Sequence, residues 1–270
     1  QHSSFVLSRL YAKFPNLIGG SADLSESNGV KTENSIPCSK GNFKGNFIHY
    51  GIREHAMGAI INGITLHSNF KALGSTFLVF ADYMRPTVRL AALMKLPSIF
   101  VFTHDSFMLG EDGPTHQPVE HLTSLRIIPN LVVVRPADSI ETAESYELAM
   151  LSKSTPHVVV LSRQNVKECT PFRKENMVAK GAYFVSKEAL GLTIYASGSE
   201  VTTAFEVKDL LTKVGIEASI VSMPSIELFE SQPAEYKAEI LNAKKRIFIE
   251  AGIEGLLTKY IRGGDLFFGL

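Results

Sequence analysis

Short apolar runs alternate with helix-patterned stretches from Leu17 to Leu161, and this alternation limits the possible folds more than any other feature. The runs are Leu17-Ile18, Phe47–Tyr50, Ala72–Ser75, Ile99–Phe102, Leu131–Val134 and His157–Leu161, rich in β-branched and aromatic residues. A helix over 3–14, closed by Pro15, precedes the first run. Between later runs the spacing predicts a helix over 53–68, with Met57, Ile60, Ile61 and Ile64 on one side, and another over 77–95 with Pro86 as a local irregularity. A short helix over 120–125 and a helix over 140–152, with Asp138 as its N-cap, complete the series. Residues 26–46, rich in Ser, Asn, Gly and Lys, read as a long surface loop. Strands alternating with helices predict an α/β fold built on a doubly wound, mostly parallel sheet.

Periodicity fades over 165–180, where charge and Pro171 mark a linker. A second, smaller α/β domain follows. Its elements are a strand over 192–196, the turn Ser197-Gly198-Ser199, a helix over 200–213 ending at Gly215, and strands over 218–221 and 246–250. Only one short helical segment is visible after the last of these, too little cover for an open sheet, so this domain is expected to be truncated. The chain opens on Gln1 rather than Met, as a fragment would. Lys plus Arg equals Asp plus Glu, 27 each, with no basic cluster, which argues against nucleic acid or an acidic membrane as partner. No apolar run reaches the roughly 18 residues of a membrane helix, and no signal peptide is visible. Cys38 and Cys169 stand far apart without metal-type spacing, as in a reduced, cytoplasmic setting.

Polar and aromatic residues recur where the runs end. Asp23, Glu54, Phe77, His104 and Arg163 each follow a different strand, and in an open parallel sheet these positions share the ligand-binding edge. The most polar connector, Thr103–Pro118, carries His104, Asp105, Glu111, Asp112, His116 and Gln117. Each residue has a plain and a functional reading. Glu54 is either a first-turn acid favouring the helix dipole or a carboxyl in a partly apolar cleft, suited to exchanging a proton with a bound base. Phe77, Phe80 and Tyr83, spaced by three, are either a core stripe or a stacking surface for a flat heteroaromatic ring. His104, Asp112 and His116 are possible metal ligands, but Gly113 and Pro114 keep Asp112 and His116 off one helix face. Hydrogen bonding to a polyhydroxylated substrate suits them better. Arg163 is either a structural ion-pair partner or a fork for phosphate. The turn at Tyr195–Ser199 is a plain tight turn or an anion nest. No G-x-G-x-x-G follows any strand, which argues against a nucleotide-binding oxidoreductase.

Several motifs in order along nearly the whole chain carry a resemblance. They are Gly19–Leu24 (GGSADL), His49–Met57 (HYGIREHAM), Ser75-Thr76-Phe77, Thr103–Ser106 (THDS), Gly110–Pro118 (GEDGPTHQP), Leu161–Asn165 (LSRQN) and Ala196–Glu200 (ASGSE). With these motifs the sequence resembles the C-terminal two domains of transketolases. The resemblance implies a pyrimidine-binding domain over 1–170 and an incomplete C-terminal domain over 171–270. It also implies thiamine diphosphate and Mg²⁺ as cofactors, sugar phosphates as substrates, a homodimer with shared sites, and transfer of a two-carbon ketol unit in the pentose phosphate pathway. By resemblance Glu54 shares a proton with the aminopyrimidine ring, Phe77, Phe80 and Tyr83 surround that ring, and Asp23 lies near the thiazolium. His104 and Asp112 match residues binding substrate hydroxyls, His116 the histidine beside cofactor and reacting oxygen, and Ser27 and Arg163 phosphate-binding positions. The family's diphosphate- and Mg²⁺-binding domain has no counterpart in the sequence, and residues 263–270 align poorly with the family's end. The chain alone is therefore expected to carry half a site. A non-catalytic assembly module, or a subunit of another thiamine enzyme of this fold, is the alternative.

Overall fold

A computed structural model describes residues 2–67, 69–110, 112–188 and 191–270. The expected helix end at Ser68 and the loop residue Glu111 lie outside the described residues. The first part of the chain forms a six-stranded sheet from β1 (Leu17–Ser21), β2 (Phe47–His49), β3 (Lys71–Phe77), β4 (Ile99–Thr103), β5 (Val132–Val134) and β6 (His157–Leu161), in the order β2-β1-β3-β4-β6-β5. Every pairing is parallel. The order reverses direction after β2 and again after β5, so helices cover both faces: α1 (His2–Lys13) and α5 (Ser139–Leu151) one, α2 (Glu54–His67) and α3 (Ala81–Leu93) the other. β4 shows the consequence for sequence. Phe100 and Phe102 face α2 and α3 while Ile99 and Val101 face α1 and α5, so the whole strand is apolar. Asp138 caps α5, its carboxylate accepting from the amides of Ile140 and Glu141 at 3.0 and 3.1 Å.

α2 approaches the sheet and α3 unusually closely. A Cβ on Gly74 of β3 would lie 2.2 Å from Ile61, and one on Gly58 would lie 2.2 Å from the Thr87 hydroxyl. Only glycine permits this approach, which brings the N-terminal end of α2, and so Glu54, down onto the sheet edge. The buried side of α2 is Met57, Gly58, Ile61 and Asn62; Ile60, expected inward, is exposed. A narrow contact through small residues leaves less of the helix covered than the apolar spacing suggests.

The expected helix over 77–95 is three elements. Phe77 ends β3, residues Leu78–Phe80 form a 3-10 turn, and α3 then runs through Pro86 to Leu93. After the linker, β7 (Tyr183–Ser186), β8 (Leu192–Ala196), β9 (Ser219–Ser222), β10 (Lys245–Ile249) and β11 (Leu266–Phe268) form a second sheet, β11-β10-β8-β9-β7, with β7 an antiparallel edge. α6 (Glu200–Lys213) packs on one face. The other face, which the sequence left bare, is covered by α7 (Ile226–Glu230), α8 (Ala234–Ile240) and the 3-10 segment Gly255–Tyr260, through Ile226, Phe229, Ile240, Leu257 and Tyr260. The expectation of a sheet without enough cover is thereby corrected. Residues 266–268, within the stretch thought to align poorly, pair in register with β10.

Buried ion pairs join the two sheets' loops. α4 (His121–Arg126) ends in Arg126, which forks onto Glu250 at 2.7 and 3.2 Å. Arg135, fully buried just after β5, reaches Asp105 through Nε at 2.8 Å, the Ser197 carbonyl at 3.0 Å, and Glu200. The turn at Ser197–Ser199 is thus closed over a buried arginine among carboxylates, and is a tight turn rather than an anion nest.

Candidate active site at the carboxyl edge of the first sheet

The site stands where β1, β3, β4 and β6 end. Two of its residues have left-handed backbone: Asp23 (φ 63°) just beyond β1, and His104 (φ 59°) just beyond β4. Side chains with a Cβ reach this region at a cost of about 1–3 kcal/mol, a strain that concentrates at functional edges. Asp23 is exposed, whereas His104 is buried beneath the loop it opens.

Aromatic rings form one half of the site. A 3-10 turn has three residues per turn, so residues three apart eclipse. Phe77 and Phe80 accordingly lie parallel, 5.9 Å apart with 6° between planes, and Tyr83 continues the series 6.0 Å from Phe80. Phe77 is buried, Phe80 half-buried and Tyr83 exposed. The His104 ring stacks on Phe77 at 3.7 Å, and His116 stands edge-on to Phe80 at 5.4 Å. Glu54, 9% exposed at the first turn of α2, accepts a long 3.5 Å hydrogen bond from the Thr76 hydroxyl. A nearly buried carboxylate with so weak a donor retains capacity for a stronger one.

The other half is a cavity of about 470 Å³ lined by Ser27, Asn28, Thr103, His104, Arg163 and Gln164 among others. Ser27 and Arg163 are exposed at its wall. Burial lowers the His104 pKa to about 4; nearby Asp112 opposes this, while Arg163 and His116 reinforce it. His104 is therefore a neutral imidazole near pH 7. The loop after it is braced by Gln117, whose amide donates to the Phe107 carbonyl at 2.6 Å.

Most of the residues expected at this edge gather into these two adjoining parts. Asp23 and Tyr83 sit at the margin, and Asp112 acts on His104 through its charge. Asp105, counted among the loop's polar groups, is buried and paired with Arg135 instead. Among the described residues, the only three His, Cys or acidic side chains close enough to share a metal ion are Asp82, Glu120 and His121; His104, Asp112 and His116 do not converge in this way. Sequence reasoning missed Asn28 and gave Thr103 no role, although both line the cavity. The run of hydroxyl and amide residues at Ser21, Ser27 and Asn28 was the available signal.

Residues 2–168 match the family description "Transketolase, pyrimidine binding domain", and residues 181–270 match "Transketolase-like TK C-terminal domain". The chain belongs to the transketolase family. It is 49% identical over 269 residues to a transketolase of Cereibacter sphaeroides, covering 99% of this chain and 40% of that one. Among solved structures, transketolase from Leishmania mexicana superposes with a TM-score of 0.94 at 41% identity, covering 100% of this chain and 40% of that one. A Pichia stipitis transketolase, solved as a complex with sedoheptulose 7-phosphate, superposes at 0.93 with 39% identity and the same coverage. The chain thus spans about 40% of the length of these transketolases.

Proposed function

We propose that this chain supplies the pyrimidine-side half of a thiamine-diphosphate-dependent transferase that moves a two-carbon ketol unit from a ketose phosphate to an aldose phosphate. Family membership supports the class of reaction. The observation that carries the assignment to this edge is the position of His104, which stacks on Phe77 at 3.7 Å and also lines the cavity with Ser27 and Arg163. One imidazole therefore connects a surface for a flat ring with a cavity suited to a phosphorylated, hydroxylated chain.

The residues present fit the cofactor's ring. Phe77 and Phe80 lie parallel, and Glu54 is nearly buried with one weak donor. Phe77, Phe80 and Tyr83 would hold the aminopyrimidine, Glu54 would share a proton with a ring nitrogen, and Asp23 would lie toward the thiazolium. Bound thiamine diphosphate supplies the electron sink that accepts the pair released when a carbon–carbon bond beside a carbonyl breaks. His104 and Asp112 would bind sugar hydroxyls, and His116 would move a proton at the reacting oxygen. Ser27 and Arg163 would receive the sugar phosphate, Arg163 as a fork of donors. The diphosphate and Mg²⁺ belong to a separate domain outside this chain.

The outward faces of α2 and α3 leave Ile60, Leu66, Leu90 and Leu93 exposed, which supports a second copy packing there and a homodimer with a shared site. No helix among the described residues is long and apolar enough to cross a membrane, and both cysteines are free thiols, in keeping with a cytoplasmic protein. Ketol transfer measured with the 270-residue chain alone, and again with the chain joined to a transketolase diphosphate-binding domain, tests the reading. Transfer is expected only in the second case. Its absence there, with cofactor and Mg²⁺ saturating, would refute the reading.

A further inference from the structure

One carboxylate of the second domain, that of Glu200, is tied to both loops that wall the cavity. It stands at the start of α6 and is buried. Glu200 Oε2 accepts from Arg135 Nη1 and from the Ala251 amide at 3.1 Å. Arg135 Nε donates in turn to Asp105, in the loop after β4, at 2.8 Å. Glu200 Oε1 accepts from Ser199 Oγ at 2.7 Å. Ser199 Oγ accepts from the side-chain amide of Gln164, in the loop after β6, at 3.1 Å. The same Gln164 nitrogen lies 3.7 Å from Met108 Sδ, so the two loops also touch each other.

The place of these bonds gives them a role beyond joining two domains. β4 and β6 are neighbours, with Thr103 paired to Leu161 at their ends. Asp105 directly follows His104 in one loop, and Gln164 directly follows Arg163 in the other. Each arm therefore grips the chain beside a residue that lines the cavity. Proton accounting fixes the Gln164 arm. Ser199 has one hydroxyl proton, which goes to Glu200, so its oxygen can only accept and Gln164 must present its NH₂. The turn between the arms needs glycine: Gly198 has φ 57°, and a Cβ there would lie 2.7 Å from the Arg135 guanidinium carbon. The motif Ala196–Glu200, otherwise without a part in the site, is thus shaped to hold Arg135 and Gln164 at once.

We propose that Ser199 and Glu200 are positioning residues of the second domain that set the spacing between the loops after β4 and β6, and with it the width of the cavity between them. Ser199 acts through Gln164 on the backbone that carries Arg163. Glu200 acts on that arm through Ser199, and on the loop after β4 through Arg135 and Asp105. The second domain thereby contributes to substrate binding without touching substrate. The consequence for substrate rests on the proposed function; the clamp itself does not.

Amide hydrogen exchange of the complete enzyme, followed by mass spectrometry over segments 103–109 and 161–166, tests the clamp. Ser199→Ala is expected to speed exchange about tenfold in 161–166 and to leave 103–109 near wild type, the worth of one hydrogen bond. Glu200→Gln speeds exchange in both segments, because a single amide oxygen cannot serve both arms. Ser199→Thr keeps the hydroxyl and restores the wild-type pattern. Steady-state kinetics then test the consequence. Ser199→Ala raises KM for a phosphorylated ketose donor about tenfold, while KM for the unphosphorylated ketose and the affinity for thiamine diphosphate stay as in wild type. Exchange unchanged in both variants, or raised throughout both domains with weaker cofactor binding, overturns the proposal. Faster exchange in 161–166 with an unchanged KM overturns the positioning role. Should Arg163→Ala fail to separate the two donors, the phosphate assignment of the proposed function falls, and the exchange pattern still decides the clamp.

Discussion

Replacing Arg135 by Met removes the cation on which the loops of both sheets converge. The guanidinium is fully buried and contacts Asp105 through Nε at 2.8 Å and Nη2 at 2.7 Å, Glu200 and the Ser197 carbonyl through Nη1, and Glu250 at 3.7 Å. Glu250 would keep Arg126 at 2.7 Å. Among the described residues, no other cation stands at these distances from Asp105 and Glu200, which are 2% and 7% exposed. Breaking a buried pair by removing one partner costs about 3–5 kcal/mol, because the remaining charge stays desolvated. With a urea slope of about 3 kcal/mol per molar, the unfolding midpoint at pH 7 falls by about 1–2 M. Acidification should narrow the gap from both sides. Burial pushes the Glu250 pKa up, but Arg126 and then Arg135 hold it down to about 2, below the ordinary 4.5. That depressed value contributes stability above pH 4.5 which wild type loses as pH falls toward 2. In the variant, protonation of the stranded carboxylates relieves the penalty. Urea titrations of both proteins at pH 7 and pH 4 measure the effect. A deficit below about 1 kcal/mol at pH 7, or one unchanged at pH 4, would refute the reasoning.

Two further outcomes follow from the same structure. Burial raises the Glu141 pKa to about 7, although hydrogen bonds from Ser222, Tyr183 and the Ala137 amide pull it down. Its folded value exceeds the unfolded one, so its contribution is fully present below pH 4.5 and lost as pH rises through 7, a change of about 3 kcal/mol. The stability difference between wild type and Glu141→Gln, measured by denaturant titration at pH 5 and pH 8, should change by up to that amount in the variant's favour at high pH; a constant difference would contradict it. Arg163→Ala in the complete enzyme should raise KM for a phosphorylated ketose donor by about 10–100-fold, the worth of a charge-assisted hydrogen bond, and leave KM for the unphosphorylated ketose nearly unchanged. Steady-state kinetics on the two donors would show this, and equal effects on both would remove Arg163 from the phosphate.

Much of the first domain is legible because its strands are buried on both faces. Ile99–Phe102 must be apolar throughout, and its polar continuation at Thr103 and His104 marks the sheet edge. The helix spacing over 53–68 likewise carries its own boundaries, with Glu54 at the start. α7 and α8 escaped notice because five and seven residues are too few for a helical period to stand out. β7 was hidden because an antiparallel edge strand of four residues, only one of them buried, leaves little apolar signal. The spacing of Phe77, Phe80 and Tyr83 predicts a stripe on one helix, whereas a 3-10 turn aligns its first two rings. Arg135 and Asn28 were not legible, since their partners lie 30–115 and 7–75 residues away in sequence. Only the folded edge brings them together.

Substitution of Glu54 by Ala tests the central claim most directly. Glu54 is nearly buried at the first turn of α2, with Thr76 at 3.5 Å, so truncation leaves the fold's main contacts in place. The measurement is the thiamine-diphosphate-dependent ketol transfer rate of the complete enzyme, wild type against Glu54→Ala, with cofactor and Mg²⁺ saturating. Loss of a positioned proton-sharing group predicts a fall of about 10²–10⁴-fold. A variant that transfers at the wild-type rate would contradict the account.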